Sequence, residues 1–286
     1  MRFLYTTAGT VVFFLYTTLS HSQEEFSWSI RQHSRDKNLT SKPALIQRTS
    51  PDEGDSSTSL DLAIKGSYLP QGSDREFSLT LERHKNTLIT KEQDLSALVF
   101  AVEDSWGDLT DGYSFIPEFS FAHKTDKKKD SKSLLAIGEL TGIWGKAGIN
   151  YLKGSDDFKW YWAPTVGLEY ENIIDAEDNN EGNVSRFYTD IDITFYPFFK
   201  KLDNGRLSLF YSYSYWNDFS EDDDIDDGDD THKLKAYGIS WQLTESPPKN
   251  QQGIVVSLEI KWVDGEDPRN NKSSQEYNQI GIGILY

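Results

Sequence analysis

Apolar and polar residues alternate one for one in many runs along the chain, and polar segments separate the runs. Successive side chains of a strand point to opposite faces, so a period of two predicts a β-strand with one apolar face. No stretch of useful length shows the period of a helix. The clearest runs are 158–170, 187–199, 207–215, 237–243 and 254–262. Counted from Phe26 to the C-terminus, such runs predict about twelve strands, an even number.

The last run, Gln275–Tyr286, indicates how the strands are arranged. Its apolar residues share one face, and its polar and small residues share the other. A strand that is apolar to its end and stops on an aromatic is typical of a closed barrel, whose last strand pairs with its first. The sequence therefore predicts an all-β fold, a single closed antiparallel transmembrane β-barrel. The apolar face carries Ile280, Ile282, Ile284 and Tyr286.

The segments between the runs predict the connections of this barrel. With the C-terminus placed in the periplasm, short turns such as Lys201–Gly205 fall on the periplasmic side. Longer acidic segments, among them Asn217–Asp230 and Asp264–Ser274, fall outside. Gln32–Ser57 has little pattern and is predicted as a first outer loop, with a plug or a disordered arm as alternatives. The glycine-rich stretch Leu134–Tyr151 is predicted as one strand with a bend or bulge.

The first 22 residues predict a cleavable secretory signal, which leaves residues 23–286 as the barrel. Arg2 supplies the positive charge, Val11–Tyr16 the apolar core, and Ser20 to Ser22 the small residues before a cut. The alternative is a membrane anchor, but the apolar run is short for one. No later segment reaches the about 20 apolar residues that a membrane helix needs.

Composition narrows the class of function. The chain has no cysteine, so thiol chemistry and disulfide scaffolds are excluded. Its net charge of -17 argues against binding nucleic acid or anionic headgroups through a basic surface. The aromatic content of 14% favours a membrane barrel, because such barrels carry aromatic girdles. The mean hydropathy of -0.61 does not oppose this, since alternating strands average their two faces.

The side chains predicted to face the lumen carry both signs of charge, with acids in excess. Interior charge of both signs indicates paired networks, a wet pore, or both, and the acidic excess predicts a preference for cations. The alternative is a structural network that fills a narrow barrel. The predicted lumen or pore residues are Arg31, Asp61, Lys65, Glu82, Glu103, Glu118, Lys159, Glu169, Asp190, Asp192, Arg206, Glu259 and Lys261.

Two charged runs lie in predicted outer loops. The acidic run offers carboxylates that suit a weakly held divalent cation, although a solvated loop tip explains the run as well. The candidate ligands are Asp222, Asp223, Asp224, Asp226 and Asp227. The basic run Lys124–Lys132 either contacts lipopolysaccharide phosphates or is simply solvated.

The histidines give little support for an enzyme. After the signal the chain holds His33, His84, His123 and His232, and none begins the His-x-Ser-Asn-Gly motif of outer-membrane phospholipases. A histidine-activated serine is therefore not expected. His232 beside Asp229 and Asp230 is a weak candidate for an Asp/His hydrolase, and a titrating loop histidine is the favoured explanation. No cofactor is expected.

The signal, the alternation and the terminal aromatic strand together resemble a Gram-negative outer-membrane β-barrel of porin type. The resemblance implies an outer-membrane location, with membrane lipid and lipopolysaccharide as surroundings. It also implies contact of the terminal strand with the barrel-assembly machinery. We expect a passive channel for small hydrophilic solutes with cation preference. The alternatives are a closed-lumen structural or surface-binding barrel that acts through acidic loops, and an outer-membrane hydrolase.

Overall fold

The structure, a computed structural model, describes residues 26–34, 44–51, 57–87, 92–108, 113–149, 151–175, 181–202, 205–221, 230–244, 253–270 and 272–286. Strands make up most of these ranges. Two short 3₁₀ turns lie among them, at Gly145–Ala147 and Pro268–Asn270. Across the same ranges, no helix has the length and apolar character required to cross a membrane.

Fifteen strands form one sheet in the described part of the chain, and twelve of them close into a barrel. The barrel strands are β2 (Ala44–Pro51), β3 (Ser57–Tyr68), β4 (Glu76–Asn86), β5 (Gln93–Glu103), β7 (Tyr113–Asp126), β8 (Ser131–Trp144), β10 (Phe158–Asp175), β11 (Gly182–Pro197), β12 (Leu207–Glu221), β13 (Thr231–Gln242), β14 (Val255–Asp267) and β15 (Lys272–Leu285). Three shorter strands, β1 (Phe26–Arg31), β6 (Trp106–Asp108) and β9 (Lys153–Gly154), pair at the margins of the ring.

The ring closes between its last and its first strand, as the sequence predicted. β15 pairs antiparallel with β2, from Ile284 opposite Ala44 to Tyr277 opposite Pro51. Every other barrel strand pairs antiparallel with its neighbours in chain order. Closure leaves no open sheet edge, which is what a sheet needs in order to lie in lipid. The all-β class and the number of strands are both confirmed.

Two strands share the first position of the ring. β2 pairs with the first part of β3, and β1 pairs with the rest of it, from Arg31 opposite Ala63 to Phe26 opposite Tyr68. The amide of Ile30 also donates to the carbonyl of Tyr286 at 2.9 Å. The prediction of one loop over Gln32–Ser57 is therefore wrong, because this segment contains β2. Its short run of mixed residues gave too few alternating positions to be recognised.

The strands also run further than the alternation predicted. We call the end that carries Tyr286 the lower end and the opposite end the upper end. At the upper end β12 continues to Glu221, and only residues 268–271 separate β14 from β15. The upper connections are therefore shorter than predicted, while the lower end holds longer ones, such as residues 145–157 and 243–254. The predicted contrast of short lower turns and long upper loops is wrong. The cause is that these strand ends are polar on both faces, so hydropathy stops alternating although the pairing continues.

The stretch Leu134–Tyr151 is likewise not a single strand. β8 ends at Trp144, where the 3₁₀ turn begins, and Gly148 follows in the left-handed region with φ of 72°. A residue with a Cβ is strained there, which explains the glycine. The chain then returns through β9 to β10.

The two faces of the barrel differ as the alternation predicts. Large apolar side chains are exposed on the outer face, where water contact would be costly and hydrocarbon contact is favourable. The outward set includes Leu81, Phe100, Phe119, Phe121, Leu168, Trp241, Ile280, Ile282 and Ile284. The inner face carries small and polar side chains, such as Ala63, Thr80, Ala97, Ser120 and Gln279, which are buried in the lumen.

Candidate functional site: the barrel lumen

A continuous band of polar contacts crosses the upper lumen, and we call it the ion belt. It runs over neighbouring strands from β7 to β14, with one member on each. Its members are Lys124, Ser133, Glu171, Arg186, Asp218, His232 and Glu266.

Glu171 is the centre of the first half of the belt. Its Oε1 accepts hydrogen bonds from Nζ of Lys124 and from Oγ of Ser133, each at 2.6 Å. Its Oε2 accepts one from Nη1 of Arg186 at 2.9 Å. Three donors on three different strands thus satisfy a single buried carboxylate.

Arg186 connects this half to the second. Its Nε lies 3.1 Å from both carboxylate oxygens of Asp218. Asp218 in turn lies 3.3 Å from Nε2 of His232, whose Nδ1 is 3.0 Å from Glu266. Both nitrogens of His232 therefore face carboxylates, which leaves neither of them to activate a nucleophile.

A guanidinium crosses the lumen next to the belt. Arg269 belongs to the 3₁₀ turn after β14, yet its Nε contacts Oε1 of Glu169 on β10. Its guanidinium carbon lies 3.7 Å from the centroid of the Tyr188 ring and 5.7 Å from that of Trp216. The turn between β14 and β15 is thus folded inward and anchored to the wall across the lumen.

A glycine makes room for this anchor. A Cβ on Gly167 would lie 2.4 Å from Cε1 of Tyr188, so only glycine lets the tyrosine ring lie across β10. The Tyr188 hydroxyl then donates to Oε2 of Glu139 on β8. Tyr188 is fully buried between its glycine neighbour and Arg269.

A row of carboxylates, which we call the glutamate row, runs across four neighbouring strands at a lower level. Glu76 is opposite Glu103, Glu103 is opposite Glu118, and Glu118 is opposite Glu139. All four stand on the inner face, as the burial of their alternate neighbours shows. Lys65 contacts Glu76 at 3.0 Å at one end of the row. Like charges directly opposite each other on adjacent strands repel, and the row concentrates negative charge on this part of the wall.

A third group, the histidine cluster, lies where the chain leaves β1. His33 stacks on His84 of β4 with ring centroids 4.8 Å apart. The Ser34 amide donates to Oε1 of Glu82, and Nδ1 of His84 lies 3.0 Å from Oδ1 of Asp61. Residues 33 and 34 are therefore held inside the barrel against β4.

One cavity connects these groups. It lies between the inserted residues His33 and Ser34, the Arg269 side chain and the wall formed by β4 to β8. Most of its wall is small or apolar, while Lys124 and Glu139 bring charge to it. The wall residues are Leu95, Ala97, Val99, Ser120, Ala122, Leu135 and Ile137.

The rims carry ion pairs between connections. At the lower end Arg75 donates from Nη2 to Oδ2 of Asp104 at 2.8 Å, and this hydrogen bond holds the pKa of the Asp104 carboxyl below its ordinary value. At the upper end Lys128 contacts Glu92, whose hydrogen bond raises the pKa of the Lys128 ammonium. Both pairs are exposed, so they add little stability.

The predicted lumen residues fall on the inner face or its rim. Arg31, Asp61, Glu118, Glu169 and Glu259 are buried there. Asp61 and Glu82 belong to the histidine cluster, Glu103 and Glu118 to the glutamate row, and Glu169 and Asp190 contact Arg269. The other members are half-buried: Lys65, Asp192 and Lys261 within the strands, and Lys159 and Arg206 near the lower end. Their role in a pore stays a prediction.

Sequence reasoning missed several charged residues of the lumen. Glu139, Glu171 and Arg186 each stand next to an outward-facing apolar or aromatic residue: Leu140, Tyr170 and Phe187. This alternation is the signal that could have assigned the three charged residues to the lumen. Lys124 and His232 were assigned to loops because the ends of β7 and β13 are polar on both faces. Nothing in the sequence indicates that Arg269 folds inward. The candidate cation ligands Asp222, Asp223, Asp224, Asp226 and Asp227 lie outside the described residues.

These features define the class of the protein. A closed ring of antiparallel strands with an apolar outer face and a polar lumen satisfies every backbone group without water, as lipid demands. The chain is an outer-membrane β-barrel, and its place is the bacterial outer membrane.

Comparisons with known proteins add three similar solved structures. No protein-family model and no curated protein sequence matches the chain. It is similar to the NanC porin, with 11% identity, a TM-score of 0.45, and coverage of 84% of this chain and 98% of that one. A structure of the KdgM porin in complex with disordered oligogalacturonate has 11% identity and a TM-score of 0.42, and the match covers 85% of this chain and 97% of that one. The translocator domain of autotransporter NalP from Neisseria meningitidis has 9% identity and a TM-score of 0.39, and the match covers 99% of this chain and 95% of that one. Scores at this level say nothing about activity.

Proposed function

We propose that the barrel is a passive channel for small hydrophilic solutes that prefers cations and needs no cofactor. The observation that carries the proposal is the glutamate row, in which Glu76, Glu103, Glu118 and Glu139 face one another across four strands. Carboxylates lining a pore attract cations and repel anions. The four carboxylates concentrate negative charge on one part of the wall, and such a potential raises the local concentration of cations.

The route for solute follows the wall from β4 to β8. Ala97, Ser120 and Ala122 take up little space there, and they line the cavity beside the inserted residues. Most of the ion belt lies on β10 to β14, where its side chains are bound to one another, while Lys124 and the Arg269 side chain border the cavity. Solute would therefore pass along the glutamate row rather than through the paired charges.

Single-channel recording in planar bilayers tests this proposal, with the purified, folded protein. We expect discrete conductance steps for the natural chain. Ala97→Trp places a large ring on the route and is expected to lower the step size. Leu98→Trp is the matched control, because Leu98 is the next residue of β5 and points outward. Absence of steps in the natural protein over a wide voltage range, or equal steps in both variants, would contradict the proposal.

The second candidate is a closed-lumen barrel that acts as a structural or surface-binding protein. The observation that favours it is that residues 33–34 and the Arg269 turn both enter the lumen. This candidate predicts no conductance for the natural chain and steps in Arg269→Ala, once the anchor to Glu169 is lost. Steps of the same size in both proteins would exclude it.

We also propose partners for the outer face and the last strand. Ile280, Ile282 and Ile284 point outward, which suits contact with membrane lipid. We infer that the same strand, with Tyr286, is recognised by the barrel-assembly machinery. Replacing Ile280 and Ile282 by serine should slow insertion in a reconstituted assembly assay, while Gln279→Ser on the inner face should not. Equal rates would contradict this role.

A further inference from the structure

The histidine cluster contains a nitrogen that the fold leaves without a hydrogen-bond partner. Nε2 of His84 is buried and makes no hydrogen bond, and the His84 side chain is fully enclosed. The carboxylate oxygen of Glu82 nearest to it lies 3.6 Å away, beyond hydrogen-bond distance. A buried polar atom in this state needs an explanation, since leaving it unsatisfied reduces the stability of the fold.

The surrounding atoms suit a metal ion. One ligand atom each from His33, Glu82 and His84 lies within 4.8 Å of the other two. Imidazole nitrogen and carboxylate oxygen are the ligands of zinc sites with three protein ligands and one open position.

The other nitrogen of His84 is held as in a metal-binding histidine. Its Nδ1 lies 3.0 Å from Oδ1 of Asp61, and Oδ2 of Asp61 accepts a hydrogen bond from Nε2 of Gln47 at 3.2 Å. A carboxylate on the far nitrogen fixes the ring orientation and raises the basicity of the nitrogen that faces the metal. Asp61 therefore turns the lone pair of His84 Nε2 toward His33 and Glu82.

We propose that His33, Glu82 and His84 form a binding site for a divalent transition metal of the zinc type, oriented by Asp61. Bond lengths of about 2.0–2.2 Å would draw the ligand atoms closer together than they now are. His33 lies outside the strands, two residues after the end of β1, while Glu82 and His84 belong to β4. The metal would fasten the segment after β1 to β4, beyond the backbone contact of Ser34 with Glu82.

The contrast with the other lumen histidine supports this reading. His232 has a carboxylate within 3.3 Å of each ring nitrogen, so its environment is complete without a metal. Within the described part of the chain, the histidine cluster is the group whose ligand atoms are placed closely enough to share an ion. The competing explanation is a protonated His84 that only pairs with Asp61 and Glu82, and it predicts no metal binding.

Zinc titration by calorimetry tests the proposal on the full chain, folded in detergent and stripped with a chelator. We expect one Zn²⁺ per barrel, and loss of that binding in His33→Ala. Asp61→Asn should weaken binding by about 10- to 100-fold, because it removes the group that orients His84. Cobalt bound in place of zinc should give a visible absorption band that disappears in the same variants.

The variants have a matched control and a safeguard. His123→Ala removes an exposed histidine on the outer side of β7 and should leave binding unchanged. His33 lies outside the strands, after the end of β1, so replacing it does not disturb the barrel wall. The His33→Ala variant therefore tests the site even if His84→Ala fails to fold. No Zn²⁺ binding, or binding that persists in His33→Ala, would overturn the proposal. These outcomes do not depend on conductance, so they leave the channel proposal separately testable.

Discussion

The ion belt and the glutamate row arrange acidic side chains of one lumen in opposite ways. In the belt, Glu171 receives three donors and Asp218 lies between Arg186 and His232. In the row, each carboxylate is opposite another one on the neighbouring strand. The belt can be explained by its own contacts. In the row, Lys65 contacts Glu76 and the Tyr188 hydroxyl donates to Glu139, and the carboxylates also repel one another across the strands.

This difference separates residues that hold the barrel together from residues that act on a solute. Breaking a buried pair leaves an uncompensated charge, so belt variants should lose stability. Neutralising one member of the row relieves repulsion, so row variants should change ion preference and keep stability. Unfolding measurements on these variants therefore test the structural role of the belt. Conductance measurements on the same variants test the role of the row in ion permeation.

The largest effect is expected at the centre of the belt. Arg186→Leu leaves Glu171 and Asp218 without their shared cation, at a cost of about 3–5 kcal/mol. Urea unfolding of the protein in lipid vesicles measures this. Lys235→Leu is the control, because its pair with Asp264 at 3.6 Å is exposed and should contribute at most about 1 kcal/mol. Equal losses in the two variants would contradict the belt's structural role.

A smaller loss is expected where Tyr188 crosses β10. Gly167→Ala puts a Cβ 2.4 Å from the ring and 2.6 Å from the backbone oxygen of Gly138. It should cost about 1–3 kcal/mol by forcing the ring away from Glu139 and straining the pairing with β8. Gly142→Ala is the control, since its Cβ would find only Ile149 at 3.9 Å. The same unfolding assay applies. A neutral Gly167→Ala would show that the ring does not depend on this glycine.

The smallest effect on stability is expected in the glutamate row. Glu118→Gln removes one of the opposed charges and should raise stability by at most about 1 kcal/mol. Cation preference in bilayer recordings should fall in the same variant. Asp264→Asn removes an equal charge from an exposed site outside the lumen and should change neither quantity. A marked loss of stability in Glu118→Gln would place this residue with the belt instead.

The alternation of side chains accounts for what could be predicted of this fold. It identified the outer face, the closing strand at Ile280–Ile284 and the inner position of Asp61 and Glu118. It did not reach Lys124 or Asp218, because hydropathy stops alternating where a strand leaves the lipid while its pairing continues. Arg269 and His33 are in the lumen because the turn Pro268–Asn270 and residues 33–34 contact residues far away in the chain, such as Glu169 and Glu82.

The most direct test of the central claim is the reversal potential in a potassium chloride gradient, measured on the folded protein in planar bilayers. The glutamate row predicts a potential with the sign of potassium permeation. It also predicts a shift toward zero when Glu103 and Glu118 are both replaced by glutamine. A potential with the sign of chloride permeation, or one that the double variant leaves unchanged, would contradict the account.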